Sequence, residues 1–496
     1  MSSLSDELAY ADVTDIAGRI RRKKLSPVEV VDAFLERIDA RNPSITALTF
    51  VDHEGARAEA KAAEQKLMQG GELGPLFGVP GILKDLFDFK PGWPATAGGV
   101  RALKDFRPDL NCVFSERVQQ AGAILLGKGN SPTFGFRGTC DNYLFGPSRN
   151  PFNTKHNTGG SSGGSAGAVA DGLVPFAEGT DGGGSIRIPA SWCGVFGYKQ
   201  SWGRVPTITR PNAFGGNTPF IFEGPLTRSV ADAALVLTAI NGPDDRDPFS
   251  LPEKVDFIGA TSGSIKGMRI AWSPDLDVFP VDPKVAEVVA QAVKVFEEAG
   301  AIVEPVKLGI KRSHYQLAEL WCRLILPLNI GALEAFKANG LDLMRDHADD
   351  FPPALRNWIE RGYQLSAVDI ERDQVMRTEI FDAIHAVMAT HDFLISPTLA
   401  CLAVENADDG DTMGPAEING EQVERLIGWC MTYFINFTGH PAASLPAGLA
   451  ANGLPVGLQI VGRRHADADL LAACATFERL RPWKDSYRIP AGRKLG

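Results

Sequence analysis

Apolar residues along the chain alternate between two spacings, one typical of amphipathic helices and one typical of buried strands. Helical spacing recurs over residues 12–40 (two helices), 53–69, 229–241, 282–299 and 465–480. Short continuous apolar runs, typical of strands buried on both faces, lie between them. We predict strands within FGVPGILKDLFDF, AILLG, MRIAWS, AIVEPVKL, FLISPTLA, ASLPAGLA and PVGLQIVG. This alternation predicts an α/β protein with a largely buried sheet.

Three local features refine this prediction. Ser26 and Pro27 have the residue types of an N-cap and a first helical residue, so we expect the second helix of the 12–40 region to begin there. Residues 312–391 are mainly helical in pattern and rich in charged and aromatic side chains. We predict a further helix near 421–436.

Composition limits the partners of the protein. The 496 residues are 44% hydrophobic and 22% charged, as in a soluble globular protein, and length alone allows roughly two to four domains. The net charge of −10 disfavours nucleic acid and anionic membranes as partners. No apolar run approaches the roughly 18 residues that a membrane span needs.

The N-terminus and the cysteines indicate a cytoplasmic protein. The opening residues are acidic and polar, unlike a signal or transit peptide. The seven cysteines are scattered, odd in number and without CxxC spacing. We therefore expect reduced thiols, with neither a disulfide framework nor a zinc site.

Glycine and serine concentrate in two clusters within residues 158–189, namely Gly159–Ser165 and Gly182–Ser185. Glycine permits sharp turns and lets backbone N–H groups approach a ligand, so a serine in such a turn can face a cleft. Asp181 and Arg187 bracket the second cluster as a potential ion pair, which a solvated linker does not need. The alternative is a pair of Gly/Ser-rich surface loops.

A serine esterase would present one of these serines in a Gly-x-Ser-x-Gly turn and pair it with a histidine. The motif occurs at Ser161, Ser162 and Ser165, and His440 or His465 could be the base. Three overlapping matches are weak evidence, because composition alone produces them. The histidines form no HExxH motif and no pair at metal-ligand spacing, so we expect no metal site and no cofactor.

Lys84 is the other candidate base, because it lies in the middle of an apolar predicted strand. Lys84 and Asp85 would point to opposite faces, so the acid need not neutralise the amine. Burial disfavours the ammonium, and a neutral lysine can act as a general base near physiological pH. The alternative is a lysine at a strand end that extends its ammonium into solvent.

Several motifs, in order along the chain, resemble the amidase signature family of serine hydrolases. Ser185 follows Ser161 at the spacing of that family's motif. The resemblance covers most of about 20–245 and 392–480. It rests on FGVPGILKD, TAGG, GPSRNPFN, GGSSGGSAGAVA, GTDGGGSIRIPASWCGVFGYK and FTGHPAASLPAGLAANGLPVGLQIVG.

The resemblance implies a fold and a division of the chain. The fold would be a single amidase domain over residues 1–496, with a central mixed, twisted β-sheet covered on both faces by helices. Its core would comprise 20–310 and 392–480. The mainly helical segment 312–391 matches loosely and would lie near the substrate pocket.

The resemblance also implies roles for individual residues. Ser185 would be the nucleophile, Lys84 the base and Ser161 the proton relay, with a cis peptide bond at Ser161. Backbone N–H groups of Gly182, Gly183, Gly184 and Ser185 would form the oxyanion hole. Ser162, Asp181 and Arg187 would support the loop. The family usually has a small or β-branched residue where this chain has Gly182, which would loosen the loop or widen the acyl side of the pocket.

The expected substrate is an uncharged, apolar or aryl amide, or else a carbamate or cyclic amide. We expect the enzyme to be a monomer or homodimer, with neither nucleic acid nor a membrane as a partner. The residues that we expect to line the pocket are Phe134, Tyr143, Trp192, Trp321, Cys322 and Trp429. One branch of the family is the glutamyl-tRNA amidotransferase A-type subunit, which works in a complex. That branch usually has glutamine where this chain has Ile188, which disfavours membership of the branch. We therefore keep the amidotransferase subunit as the alternative to a free-standing amidase.

Overall fold

A long mixed β-sheet runs through the computed structural model, which describes residues 1–495. The strands are β1 (Leu48–Val51), β2 (Pro80–Lys84), β3 (Ile124–Gly129), β4 (Arg149–Asn150), β5 (Asn153–Asn157), β6 (Phe176–Asp181), β7 (Phe196–Lys199), β8 (Phe222–Thr227), β9 (Arg269–Trp272), β10 (Ile302–Pro305), β11 (Phe393–Pro397), β12 (Glu417–Ile418), β13 (Glu421–Gln422), β14 (Ala442–Leu449) and β15 (Pro455–Gly462).

Within residues 1–495, eleven strands form this sheet in the order β1-β3-β2-β6-β8-β7-β14-β15-β11-β9-β10. The pairs β3–β2, β2–β6, β11–β9 and β9–β10 are parallel, and the remaining neighbours are antiparallel. The pairs β4–β5 and β12–β13 form separate two-stranded sheets. The expected mixed sheet is therefore confirmed.

Helices surround the sheet. They are α1 (Ser3–Leu8), α2 (Val13–Arg21), α3 (Pro27–Arg41), α4 (His53–Gln69), α5 (Val113–Gln120), α6 (Gly163–Ala170), α7 (Arg187–Cys193), α8 (Val230–Ile240), α9 (Phe257–Ala260), α10 (Pro283–Glu298), α11 (His314–Ala338), α12 (Leu343–Asp346), α13 (Pro353–Gly362), α14 (Ala367–Met388), α15 (Tyr433–Thr438), α16 (Asp467–Leu480) and α17 (Arg488–Ala491). The side chain of Ser26 accepts from the N–H groups of Val28 and Glu29, and the Glu29 carboxylate accepts from the Ser26 N–H, so a capping box begins α3.

Two apolar layers lie on opposite faces of the sheet. Along β11, Ile395 packs in one layer and Leu394 in the other, and along β15 Ile460 and Val461 divide in the same way. Successive residues of a strand point to opposite faces, so both faces of the sheet are buried. This explains why the strand segments are continuously apolar in the sequence.

The segment 312–391 is helical, as its pattern predicts, and consists mainly of α11, α13 and α14. Leu320, Leu355 and Ile380 pack together in the second of the two apolar layers. The segment is therefore part of the single α/β domain rather than a separate unit.

Our prediction of a helix near 421–436 is wrong over most of that range. Residues 417–422 form the β12–β13 hairpin, and the helix α15 begins only at Tyr433. Asn419 and Gly420 occupy the hairpin turn with φ values of 50° and 83°. Asn-Gly is a residue pair that favours positive φ at both central turn positions, and the type I′ turn of a two-residue hairpin requires this conformation.

Two further observations bear on the expectations from composition. All seven cysteines are free thiols, and six of them are buried. Among residues 1–495, none of the helices combines the length and apolar character that a membrane span requires.

Candidate active site

Lys84 is the last residue of β2, at the edge of the sheet where the parallel neighbour β6 also ends. The carboxyl ends of parallel strands meet at one edge, so this topology brings Lys84 close to residues of the Gly/Ser clusters. Our prediction placed Lys84 in the middle of its strand and is wrong. The strand ends after Lys84, and the Asp85 side chain accepts hydrogen bonds from the backbone N–H and the hydroxyl of Thr96.

The Lys84 side chain is fully buried between two hydroxyl groups. Its Nζ lies 2.7 Å from Ser161 Oγ and 2.6 Å from Thr180 Oγ1. Asp85 points to the opposite side, where its carboxylate lies 3.3 Å from Lys128 Nζ. Asp85 therefore does not pair with Lys84, as the strand geometry predicts, and no carboxylate of residues 1–495 forms a salt bridge with Lys84.

Burial lowers the pKa of Lys84 to about 8, although the carboxyl groups of Asp88 and Glu178 favour the ammonium. In a substantial fraction of the protein molecules, Lys84 is therefore a neutral amine near physiological pH. A neutral amine at 2.7 Å from a hydroxyl can accept its proton.

Ser161 lies in a bent turn that precedes helix α6. The Gly160–Ser161 peptide bond is cis, and the Gly160 N–H donates to the Gly138 carbonyl at 2.7 Å. The hydroxyl oxygen of Ser162 accepts from the Thr180 N–H at 3.1 Å. This contact ties the first Gly/Ser cluster to the end of β6, which carries the second cluster.

Ser185 follows β6 and precedes α7, and 9% of its surface is exposed. Its carbonyl accepts from the Ser162 N–H at 3.3 Å, so the two clusters are adjacent in space. Within residues 1–495, the Ser185 hydroxyl makes no hydrogen bond, including none to Ser161. Catalytic hydrogen bonds often tighten only when substrate binds.

Asp181 and Arg187 form a fully buried bidentate ion pair across the Ser185 loop. Arg187 Nε and Nη2 each lie 2.9 Å from an Asp181 carboxylate oxygen. Burial raises the pKa of Asp181, but the charge and hydrogen bonds of Arg187 outweigh it and lower the pKa to about 2. The carboxylate also accepts from the N–H groups of Gly184 and Ile186, so the ion pair fixes the loop backbone.

The backbone N–H groups of the loop differ in their availability. Among residues 1–495, those of Gly182, Gly183 and Ser185 donate to no protein acceptor, so each is free to donate to a ligand. A role for them in an oxyanion hole stays a prediction. The Gly184 N–H donates to Asp181 at 2.8 Å. Our prediction that Gly184 contributes a donor is therefore not met in this conformation.

Gly182 faces apolar side chains. A β-carbon at this position would lie 2.7 Å from Ile221 Cδ1 and 3.8 Å from Ile325 Cδ1. Ile221 thus fills the space that a side chain at position 182 would take, so the glycine leaves no void there.

The residues predicted to line the pocket lie in different surroundings. Phe134 contacts Phe351 at 5.5 Å between ring centroids and precedes Gly135, where a β-carbon would lie 3.2 Å from Ser161 Oγ. Tyr143 is partly buried, with the Arg101 guanidinium over its ring. Phe134 therefore adjoins a residue that lies against Ser161, and its role in lining the pocket stays a prediction.

Trp192 and Trp429 are both buried and stack on each other, with ring centroids 4.6 Å apart. Their indole N–H groups donate to the backbone carbonyls of Cys401 and Arg425. These contacts are those of core side chains, and a role in lining the pocket stays a prediction for both.

Trp321 and Cys322 belong to helix α11. The indole N–H of Trp321 donates to the Gly182 carbonyl at 2.9 Å, which places this tryptophan against the predicted oxyanion loop. Cys322 is buried, and burial raises the pKa of its thiol well above its usual value. Cys322 therefore carries a neutral thiol, and its role in lining the pocket stays a prediction.

One group of potential metal ligands lies behind Lys84, where Cys112 and carboxylate oxygens of Glu178 and Glu223 are within 4.8 Å of one another. Burial raises the pKa of all three groups, that of Glu223 to about 8. Their protonated forms are poor ligands, so the donor set does not favour a metal ion.

Neither histidine of the esterase alternative contacts the serines. His440 Nδ1 lies 2.8 Å from Thr438 Oγ1, and burial lowers its pKa to about 3. His465 is exposed and donates its backbone N–H to Ser201. Among residues 1–495, Lys84 is the basic side chain that contacts Ser161.

Comparisons with known proteins identify the family of the chain. A family model described as Amidase matches residues 29–471. An acylamidase of Rhodococcus erythropolis is 37% identical over 96% of this chain and 97% of its own length. The chain belongs to the amidase signature family. It is therefore a hydrolase that cleaves carbon–nitrogen bonds of amides, and the esterase alternative is set aside.

Two other members of the family are similar along nearly the whole chain. The crystal structure of a bacterial aryl acylamidase of the amidase signature family has a TM-score of 0.96 and 47% identity, and covers 99% of this chain and 100% of that one. The A-type subunit of the glutamyl-tRNA(Gln) amidotransferase of Chloroflexus aurantiacus is 35% identical over 96% of this chain and 98% of its own length.

Sequence reasoning missed several residues that support the amidase site. Thr180 contacts Lys84, and Thr432 donates its hydroxyl to the Gly183 carbonyl at 2.7 Å. Asn436 and Gln459 accept hydrogen bonds from Arg187. Thr180 could have been found, because it lies one residue before Asp181 on the same strand. The others are distant in sequence and carried no local signal.

Proposed function

We propose that this amidase hydrolyses uncharged acyl amides, including aryl amides, through an acyl-enzyme on Ser185. The observation that carries the proposal is the hydrogen-bond contact of 2.7 Å between the fully buried Lys84 Nζ and Ser161 Oγ. The similarity to an acylamidase and to an aryl acylamidase supports the substrate class.

The proposed reaction moves one proton along a short chain of groups. As Ser185 Oγ attacks the amide carbonyl carbon, its proton passes to Ser161 Oγ, while the Ser161 proton passes to neutral Lys84 Nζ. The tetrahedral intermediate then collapses, its C–N bond breaks, and the same chain returns the proton to the leaving nitrogen. This assistance matters because an amide anion is a very poor leaving group.

The second half of the reaction uses the same groups. A water molecule attacks the Ser185 ester, gives its proton to the chain, and releases the carboxylic acid as Ser185 regains its hydroxyl proton. In both steps the N–H groups of Gly182, Gly183 and Ser185 stabilise the oxyanion, and one such donor is typically worth about 2.7–4 kcal/mol.

We further propose that the protein acts on free small molecules in the cytoplasm, as a monomer or homodimer. The net charge of −10 supports the absence of nucleic acid or membrane as a partner. Carbamates and cyclic amides are the other substrates that we include in the proposal.

The experiment is a panel of p-nitroanilides, simple amides, carbamates and cyclic amides assayed with the purified chain alone. We expect hydrolysis of p-nitroanilides by the wild type and none by Ser185→Ala. Activity that appears only with partner proteins and tRNA would favour the amidotransferase alternative, which the relatives of that name motivate. Activity retained by Ser185→Ala would refute the proposed nucleophile.

A further inference from the structure

A side chain of the mainly helical segment 312–391 forms a hydrogen bond with the oxyanion loop, residues 182–185. The indole N–H of Trp321, on α11, donates to the Gly182 carbonyl at 2.9 Å. The indole also lies against Gly183, since a β-carbon there would be 2.6 Å from Trp321 Nε1. Trp321 is 4% exposed, so this contact is shielded from solvent.

The peptide group that Trp321 holds also carries the Gly183 N–H. The Gly182–Gly183 peptide is trans, and the carbonyl and N–H of a trans peptide point in opposite directions. A donor fixed to the Gly182 carbonyl therefore directs the Gly183 N–H away from α11. Among residues 1–495 this N–H meets no protein acceptor, so it remains available to a ligand.

Two other peptide groups of the loop present a free N–H, those of Gly182 and Ser185. The Asp181 carbonyl, on the peptide of the Gly182 N–H, accepts from the Asn436 side-chain amide at 2.9 Å. The Gly184 carbonyl accepts from the Ile188 N–H at 2.6 Å, and the Ser185 N–H of that trans peptide points the other way. The anchor of the Ser185 donor is the backbone of α7, whereas the anchor of the Gly183 donor is a side chain. The Asn436 anchor of the Gly182 donor is also a side chain, but Asn436 contacts both Asp181 and Arg187 of the buried ion pair as well. The Trp321 anchor can be removed without breaking a hydrogen bond of that ion pair.

We propose that Trp321 is a positioning residue of the amidase, which orients the Gly183 N–H toward the oxyanion through its hydrogen bond to the Gly182 carbonyl. This inference rests on the proposed function, because it assumes that Ser185 is the nucleophile. It predicts that Trp321 contributes to stabilisation of the tetrahedral intermediate more than to binding of the ground-state substrate.

The test is Trp321→Phe, which removes the indole donor and keeps an aromatic ring over Gly183. We expect kcat for a p-nitroanilide to fall by about 10- to 100-fold, somewhat less than loss of a whole oxyanion donor causes. KM should change by less than about threefold. Affinity for phenylboronic acid, which forms a tetrahedral adduct with an active-site serine, should weaken in proportion to kcat/KM.

Trp483→Phe is the matched control. The Trp483 indole is also buried and donates to a backbone carbonyl, that of Arg228, at 2.8 Å, but in the C-terminal region away from the loop. This control should lose stability to a similar degree and keep the wild-type kcat and boronate affinity. An equal loss of kcat in both variants would show a general structural effect and overturn the proposal.

A second variant approaches the same contact from the other side. In Gly183→Ala the new β-carbon would displace the indole, and the φ of Gly183 is not in the left-handed region. We expect the same loss of kcat, and the double variant with Trp321→Phe should lose less than the two single losses multiplied together. If Trp321→Phe does not fold, Gly183→Ala alone remains decisive, because a normal kcat there overturns the proposal.

The results separate the two proposals. If Ser185→Ala keeps activity, the proposed function fails. If Ser185→Ala is inactive and Trp321→Phe has wild-type kcat and boronate affinity, only the role of Trp321 fails. A rise of KM with unchanged kcat in Trp321→Phe would make Trp321 a substrate contact and would also overturn the positioning role.

Discussion

The pH dependence of amide hydrolysis tests whether Lys84 is the base. Burial lowers its pKa from the usual 10.5 to about 8, against the opposing effect of the Asp88 and Glu178 carboxyl groups. The base is active when neutral, so kcat/KM should rise with pH and level off above the pKa. The neutral fraction is about 1% at pH 6 and about half at pH 8, so kcat/KM should increase about 50-fold over that interval.

The assay follows release of p-nitroaniline by the purified enzyme between pH 5.5 and 9.5. The variant Asp88→Asn makes this test more specific for Lys84, because the change removes a carboxyl group that raises the pKa of Lys84. The midpoint of the profile should then move to lower pH. Asp105→Asn is the control, since the Asp105 side chain is 84% exposed, and its midpoint should stay in place.

Two results would refute the reasoning. A profile that is flat between pH 6 and 9 would mean that no group with a pKa near 8 controls the reaction. A midpoint that moves to higher pH in Asp88→Asn would mean that the titrating group is not a cation stabilised by that carboxyl group.

Three further predictions concern neighbouring groups. Lys84→Ala should reduce amide hydrolysis by about 10²–10⁴-fold more than hydrolysis of an ester with the same acyl group, because an ester needs less proton transfer to its leaving group, and equal losses would contradict the relay. Replacing His440 and His465 together by asparagine should leave kcat within about threefold of the wild type, since neither contacts the serines, whereas a loss of several orders of magnitude would restore a histidine base. Asp181→Asn should reduce the free energy of unfolding in urea by about 3–5 kcal/mol, because Arg187 would keep an uncompensated buried charge, and a change below about 1 kcal/mol would contradict this role of the ion pair.

Local signals in the sequence predicted much of the fold. Ser26 and Pro27 located the start of α3, and the charged, alanine-rich pattern over 53–69 located α4. The Asn419–Gly420 turn was an equally local signal, but our prediction of a helix near 421–436 did not use it. The boundaries of irregular segments such as 423–432 depend on tertiary contacts, which periodicity does not contain.

The sequence likewise predicted some features of the candidate site and not others. The Gly/Ser clusters and Lys84 stand out by composition and by resemblance to the family, and the structure brings Lys84 to Ser161. The contact of Trp321 with Gly182 joins residues that are far apart along the chain, so residue pattern alone could suggest an aromatic pocket but not a hydrogen bond to the loop. Availability of the Gly184 N–H likewise depended on where the Asp181 carboxylate lies.

Mass spectrometry of the acyl-enzyme tests the central claim most directly. The purified enzyme would be mixed with an activated aryl ester of a simple acyl group, quenched in acid within its first turnovers, and digested. We predict one added acyl group, located on Ser185, and none in Ser185→Ala. An acyl group on another residue, or turnover of amides by Ser185→Ala, would contradict the account.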